Sequence, residues 1–196
     1  MREIIKMIVV LAIICGGSGL SLSLFHEVTK EPRAYQLLKF VQEPSIKAVL
    51  EGLENYDNDP IKDRIALPGG KDEKGKDIVM NIFPAKQGDK IVALAYGSSA
   101  TGYHGIIEVM VGIDTSGKLT GISIMTHTET PGLGAKIVQA DFTDQFTGLE
   151  LSDELNLSSA GGKVDGISGA SLSSKGVMAA VRKALELFPK IKEEVS

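Results

Sequence analysis

Residues 105–126 read GIIEVMVGIDTSGKLTGISIMT, two β-prone runs on either side of a turn. Isoleucine and valine recur from Gly105 to Ile113, and isoleucine again from Lys118 to Thr126. Branched side chains of this kind pack well on a pleated surface. Asp114-Thr115-Ser116-Gly117 between the runs has the residue types that close tight turns, so the stretch predicts two antiparallel strands. Further out, Ile78 to Phe83 and Lys90 to Tyr96 read as two more strands, punctuated by Gln87-Gly88-Asp89. Downstream, Val177, Val181, Ala184 and Phe188 recur at helical spacing, predicting a helix from Lys175 to about Leu187 with Ser173 or Ser174 as N-cap. Upstream, Pro32 marks a helix start. Tyr35, Leu38 and Val41, then Ile46, Val49 and Leu50 beyond Pro44, predict two short amphipathic helices over one face of the sheet. The polar stretch from Asn55 to Asp77 reads as a surface loop or short hairpin. Helices flanking a sheet of hairpins make an α+β domain with an antiparallel sheet, expected over residues 29–196.

Residues 1–28 carry a different signal. Met7 to Phe25 is free of charge, and at about 1.5 Å per residue a helix of that length nearly matches a hydrocarbon core of about 30 Å. A transmembrane anchor is expected, in preference to a cleaved leader: Arg2 and Lys6 give a basic start, but Ile14 ahead of Cys15 is bulky for a lipoprotein cleavage site. Cys15/Gly19 and Gly17/Ser21 set small residues four apart, as close helix packing in a membrane uses. Arg2 and Lys6 on one side are matched by Lys30, Arg33 and Lys39 on the other, so charge leaves the orientation open. Twenty-one basic against 25 acidic residues, a net charge of −4 and no basic run exclude nucleic acid as the natural partner. The single cysteine excludes an intrachain disulfide and a thiolate cluster.

Chemistry concentrates in two segments. Asp165-Gly166-Ile167-Ser168-Gly169-Ala170-Ser171-Leu172-Ser173-Ser174 is a glycine- and hydroxyl-rich turn running into a helix. The first turn of a helix offers unpaired N–H groups and partial positive charge, which suits a phosphate. Serines in this setting also serve as simple caps. Gly166-Ile167-Ser168-Gly169-Ala170 resembles a nucleophile elbow, but no histidine follows His127, so the hydrolase order of nucleophile, acid and base is not met. The second segment is Thr126-His127-Thr128-Glu129-Thr130-Pro131-Gly132-Leu133-Gly134, a stiff turn directly after the last strand. No Gly-x-Gly-x-x-Gly fingerprint for a nicotinamide cofactor is present.

The apolar N-terminal helix, Gly102-Tyr103-His104-Gly105, the His127 to Gly134 loop, Phe142 to Gly148 and the Asp165 to Ser174 turn occur in an order that resembles a known family. It is the FMN-binding domain of the G subunit of the Rnf electron-transport complex, related to the C subunit of the sodium-translocating NADH:quinone oxidoreductase. The resemblance covers nearly the whole chain. It implies FMN bonded covalently through its phosphate to a hydroxyl, installed by a flavin transferase that recognises Asp-x-x-Ser/Thr-Gly-Ala-Thr. The final threonine of that pattern is serine here, Ser171, with Ser173 as the fallback acceptor. By the same resemblance, Asp165, Ser168, Gly169, Ala170, Leu172 and Ser173 surround the phosphate and ribityl chain. Glu129, Thr130, Leu133 and Gly134 face the isoalloxazine ring, where the Glu129 charge disfavours the anionic reduced form. The family further implies a redox subunit with no substrate site of its own and no metal. Its setting is a ferredoxin:NAD oxidoreductase complex coupled to ion translocation, with other membrane subunits, the flavin transferase and membrane lipid as partners. The chain is then expected in the cytoplasmic membrane, crossing once, with the FMN domain on the extracytoplasmic side. The alternative is a flavin-free or non-covalently FMN-binding structural subunit of the same kind of complex.

Overall fold

The hairpin expected around Asp114 forms, with β4 (Ile106–Asp114) and β5 (Leu119–Thr126) antiparallel and Val111 opposite Ile122. The computed structural model describes residues 2–37, 40, 42–53, 56–71, 77–152 and 155–195. Three further strands, β1 (Ile65–Lys71), β2 (Asp77–Gln87) and β3 (Lys90–Thr101), complete a five-stranded antiparallel sheet in the order β1-β2-β3-β4-β5. Each strand therefore pairs with its neighbour in sequence. β1 lies inside the stretch expected to be a surface loop or short hairpin. Its antiparallel pairing with β2 fits the hairpin alternative rather than the loop, and Pro68, which lacks an N–H, suits an edge strand.

Alternation sorts side chains between two faces. On one, Tyr96, Val109, Val111 and Ile113 are buried with Val177, Val181, Ala184, Leu185 and Phe188 of α4 (Ser171–Val195). Burying a side chain of this size stabilises by about 1.5–3 kcal/mol, so this stripe is the main force docking the helix. Two hydroxyls fix its register on β3: Tyr96 donates to the Ala184 carbonyl at 2.9 Å, and Ser98 to the Ala180 carbonyl at 2.8 Å. Burial holds the Tyr96 phenol far above its usual range, so it stays a neutral donor. On the other face α2 (Glu43–Leu50) buries Ile46, Val49 and Leu50, and the Val49 carbonyl accepts from Thr120 Oγ1 at 2.6 Å. Between β5 and α4 the chain makes short helical turns, including α3 (Ala140–Thr143), whose Phe142 packs edge-on against Phe146 with ring centroids 5.5 Å apart.

Three helix expectations need correction. α4 begins at Ser171, four residues early, so Ser173 and Ser174 sit inside its first turn rather than capping it. It also continues past Pro189 to Val195, because an interior proline removes one backbone bond and the apolar stripe extends to Ile191. α1 (Arg2–Leu37) likewise runs through Pro32 instead of restarting there. Leu38, Val41 and Asn55 lie outside the described residues. Residues Arg2–Thr29 are long and apolar enough to cross a membrane. The chain separates into two compact units, Met1–Phe40 and Val41–Ser196.

Candidate functional site

The first turn of α4 is set by the turn before it. Ala170 N–H bonds the Ile167 carbonyl at 2.9 Å across Ser168 and Gly169, and Gly169 adopts φ 77°, a region costly for any residue with a Cβ. Ser174 secures the junction twice. Its Oγ accepts from Ile167 N–H at 3.0 Å and donates to the Ala170 carbonyl at 3.1 Å, while its own N–H reaches the same carbonyl at 3.0 Å. Ala170 is thus the cap residue. It brings no side-chain oxygen to the N–H groups of Ser171, Leu172 and Ser173, which leaves them for another acceptor.

Facing this turn is the loop after β5. Pro131 and Gly132 fill the centre of a turn closed by Leu133 N–H on the Thr130 carbonyl at 3.2 Å. Ahead of it Glu129 is 4% exposed. One carboxylate oxygen, Oε1, accepts from the backbone N–H of Tyr103 at 2.8 Å and of His104 at 3.2 Å. The other, Oε2, accepts from Ser173 Oγ at 2.5 Å. Burial pushes the Glu129 carboxyl upward, but the Ser173 hydroxyl and the His104 and Tyr103 amides outweigh it, holding the group below its ordinary value. Glu129 is therefore anionic at neutral pH and joins three segments: the 102–105 loop, its own loop and α4. Gly134 lets them close. A Cβ there would stand 2.8 Å from Ser173 Oγ and 2.9 Å from Glu129 Oε2.

Between these parts lies a cleft of about 410 Å³ lined by Tyr103, Glu129, Thr130, Leu133, Gly134, Gly169, Ala170, Ser171, Leu172 and Ser173. All of these but Tyr103 are expected from the sequence, whereas Asp165 and Ser168, also expected, do not line it. Asp165 is exposed and its backbone N–H is held by Gln145 Oε1 at 2.6 Å. Tyr103 is the site residue that the sequence reading misses. Its N–H braces Glu129, and its 62% exposed side chain lies on the cleft wall. A glycine on either side of Tyr103-His104 is the signal for such a close turn. The two histidine rings nearby serve the loops: His104 Nδ1 meets Thr130 Oγ1 at 3.2 Å, and His127 Nδ1 accepts from Glu129 N–H at 3.2 Å.

The two expected acceptors differ sharply. Ser171 is exposed on the cleft wall, whereas Ser173 is 2% exposed with its proton committed to Glu129. The surroundings fit FMN. The first turn of a helix, here α4 from Ser171, suits a phosphate, and Tyr103, Leu133 and Leu172 offer partly exposed apolar surface for a planar ring.

Residues 102–186 match the FMN-binding domain family. The G subunit of the ion-translocating oxidoreductase complex of Methanosarcina acetivorans is 31% identical over 187 residues, covering 94% of each chain. The protein of the same name from Stutzerimonas stutzeri is 31% identical over 137 residues, which are 67% of this chain and 58% of that one. Among solved structures, the C subunit of the Na(+)-translocating NADH-quinone reductase of Parabacteroides distasonis is 21% identical. It covers 64% of this chain and 76% of that one, with a TM-score of 0.48. With an apolar N-terminal helix followed in sequence by an α+β meander that carries the FMN-binding-domain match, the chain belongs to the family of G subunits of ion-translocating oxidoreductase complexes.

Proposed function

We propose that this chain is the electron-carrying subunit of an Rnf-type ion-translocating oxidoreductase complex, holding FMN through a phosphoester to Ser171. The observation that carries the reading is the exposed Ser171 hydroxyl on the wall of the cleft, at the start of α4, where Ala170 precedes the first turn and has no polar side chain. Residues 1–28 form the membrane anchor and 29–196 the FMN domain, on the extracytoplasmic side of the cytoplasmic membrane. A flavin bound reversibly there is lost to dilution, and a covalent tether prevents this.

The N–H groups of Ser171, Leu172 and Ser173 would hold the phosphate, and Gly169 and Ala170 would allow it to come close to the backbone. Glu129, Thr130, Leu133 and Gly134, which line the cleft, would face the isoalloxazine ring, and Leu172 would lie beside the phosphate and ribityl chain. When bound, FMN supplies reversible electron transfer, which a carrier between neighbouring redox centres requires. Attachment involves no oxidation or reduction. Ester formation from a free phosphate is uphill in water, so the donor is an FMN phosphoanhydride presented by the flavin transferase. Ser171 Oγ forms the new P–O bond, the anhydride P–O bond breaks, the second phosphate group leaves and the hydroxyl proton passes to solvent.

Peptide mass mapping tests this. In full-length chain co-expressed with its flavin transferase, the peptide spanning residues 164–175 should gain the mass of FMN less one water. Fragment ions should place it on Ser171, and Ser171→Ala should abolish it. An unmodified peptide in the unsubstituted chain leaves the alternative of a non-covalent or flavin-free subunit.

A further inference from the structure

Two serines of the same helical turn present hydroxyls to one cleft, yet the geometry treats them oppositely. Ser173 Oγ is 2.5 Å from a carboxylate oxygen, and Gly134 is packed so closely over it that a methyl group has no room. Ser171 is exposed, at the mouth of the same cleft. We infer that Glu129 is the residue that decides which hydroxyl receives the flavin, by holding Ser173 out of reaction. The inference rests on the covalent reading above and goes beyond it, because it names what makes the choice.

Two physical effects act together. The Ser173 hydroxyl donates to an ionised acceptor, the strong class of hydrogen bond, and that bond must break before the oxygen can swing toward phosphorus. A phosphate approaching Ser173 also meets the Glu129 carboxylate at close range in a partly desolvated cleft, where repulsion between like charges is strong. At Ser171 the phosphate instead meets the start of α4, where the backbone presents donors. The carboxylate is itself fixed by the Tyr103 and His104 amides, so it cannot turn aside to admit the phosphate. Glu129 acts here through Ser173 and through its charge. It is a specificity-determining residue and not a catalytic one.

Glu129→Gln is the informative change. The amide keeps the shape, still accepts from the two backbone N–H groups with its oxygen, and turns a donor toward Ser173, which frees the serine proton and removes the charge. The full chain is co-expressed with its flavin transferase, and adduct is located by fragment ions of the peptide spanning 164–175. In Ser171→Ala, with Glu129 intact, Ser173 should stay essentially unmodified. In the double variant Ser171→Ala/Glu129→Gln the adduct on Ser173 should rise roughly tenfold or more, the scale set by one charge-assisted hydrogen bond. No rise in the double variant, while the unsubstituted chain carries FMN on Ser171, overturns the inference and leaves the covalent reading standing. No adduct on the unsubstituted chain sinks both. Where circular dichroism shows the glutamine variant unfolded, Glu129→Asp in the same Ser171→Ala background draws the carboxylate back from Ser173. A smaller rise is then expected, since the hydrogen bond is lost and the charge remains, and its absence has the same meaning.

Discussion

Asp114 and Glu129 each accept three hydrogen bonds, and both carboxyls are held below their ordinary pKa. Their donors come from opposite distances along the chain. Asp114 Oδ1 takes Ser116 N–H at 2.7 Å, Ser116 Oγ at 2.6 Å and Lys118 N–H at 3.0 Å, all within four residues. Glu129 takes Tyr103 and His104, 26 and 25 residues back, and Ser173, 44 residues on. The first carboxylate shapes one exposed turn and is complete as soon as the hairpin forms. The second exists as a bonded group only after three separate segments have met. One is local turn chemistry, and the other is a test that the tertiary structure has closed.

That contrast can be broken by experiment. The largest effect is expected for Glu129→Ala, which leaves two amides and a serine hydroxyl without an acceptor in a buried place. Thermal or denaturant unfolding should show a loss of about 3 kcal/mol. Next comes pH. Both carboxyls have folded pKa values below their ordinary 4.5 and 3.8, so each adds stability above its unfolded value and loses it as pH falls through the folded one. Glu129→Gln should flatten the decline of Tm below about pH 4.3 more than Asp114→Asn does, because its acceptor site is buried. Equal flattening would mean that burial adds nothing to the Glu129 linkage. The smallest effect is expected for Asp114→Ala, about 1 kcal/mol, since water can serve the donors of an exposed turn. A loss there as large as that of Glu129→Ala would erase the distinction between the two carboxylates.

The same contrast explains what is readable from sequence alone. The Asp114 turn and the strands around it are legible because their cause lies within a few adjacent residues. The loop at Pro131-Gly132 and the turn into α4 are legible for the same reason. The start of α4 is misplaced at Ser173 and Ser174 because both are good caps locally. In the structure each hydroxyl is drawn inward, Ser173 to Glu129 and Ser174 to the Ile167–Ala170 turn. β1 is only half legible, as one arm of a hairpin set against a loop reading, because Pro68-Gly69-Gly70 fits either until the neighbouring strand is known. Family resemblance brings Glu129 and Ser173 together as site residues. It gives no sign that they bond to each other, and so the difference between Ser171 and Ser173 becomes visible only in three dimensions.

The order of the sheet follows the order of synthesis, strand beside strand, and α4 is laid on last. A chain emerging from its N-terminus can therefore assemble the meander as it appears. The cleft cannot form until the closing helix has been made and has settled against β3 and β4. A polypeptide cut short before residue 171 has neither the hydroxyl nor the wall beside it. One cut within the helix has the hydroxyl without the docking stripe that orients it. Position along the chain thus acts as a clock for the site, because only a chain folded through α4 presents the Ser171 hydroxyl on a formed cleft.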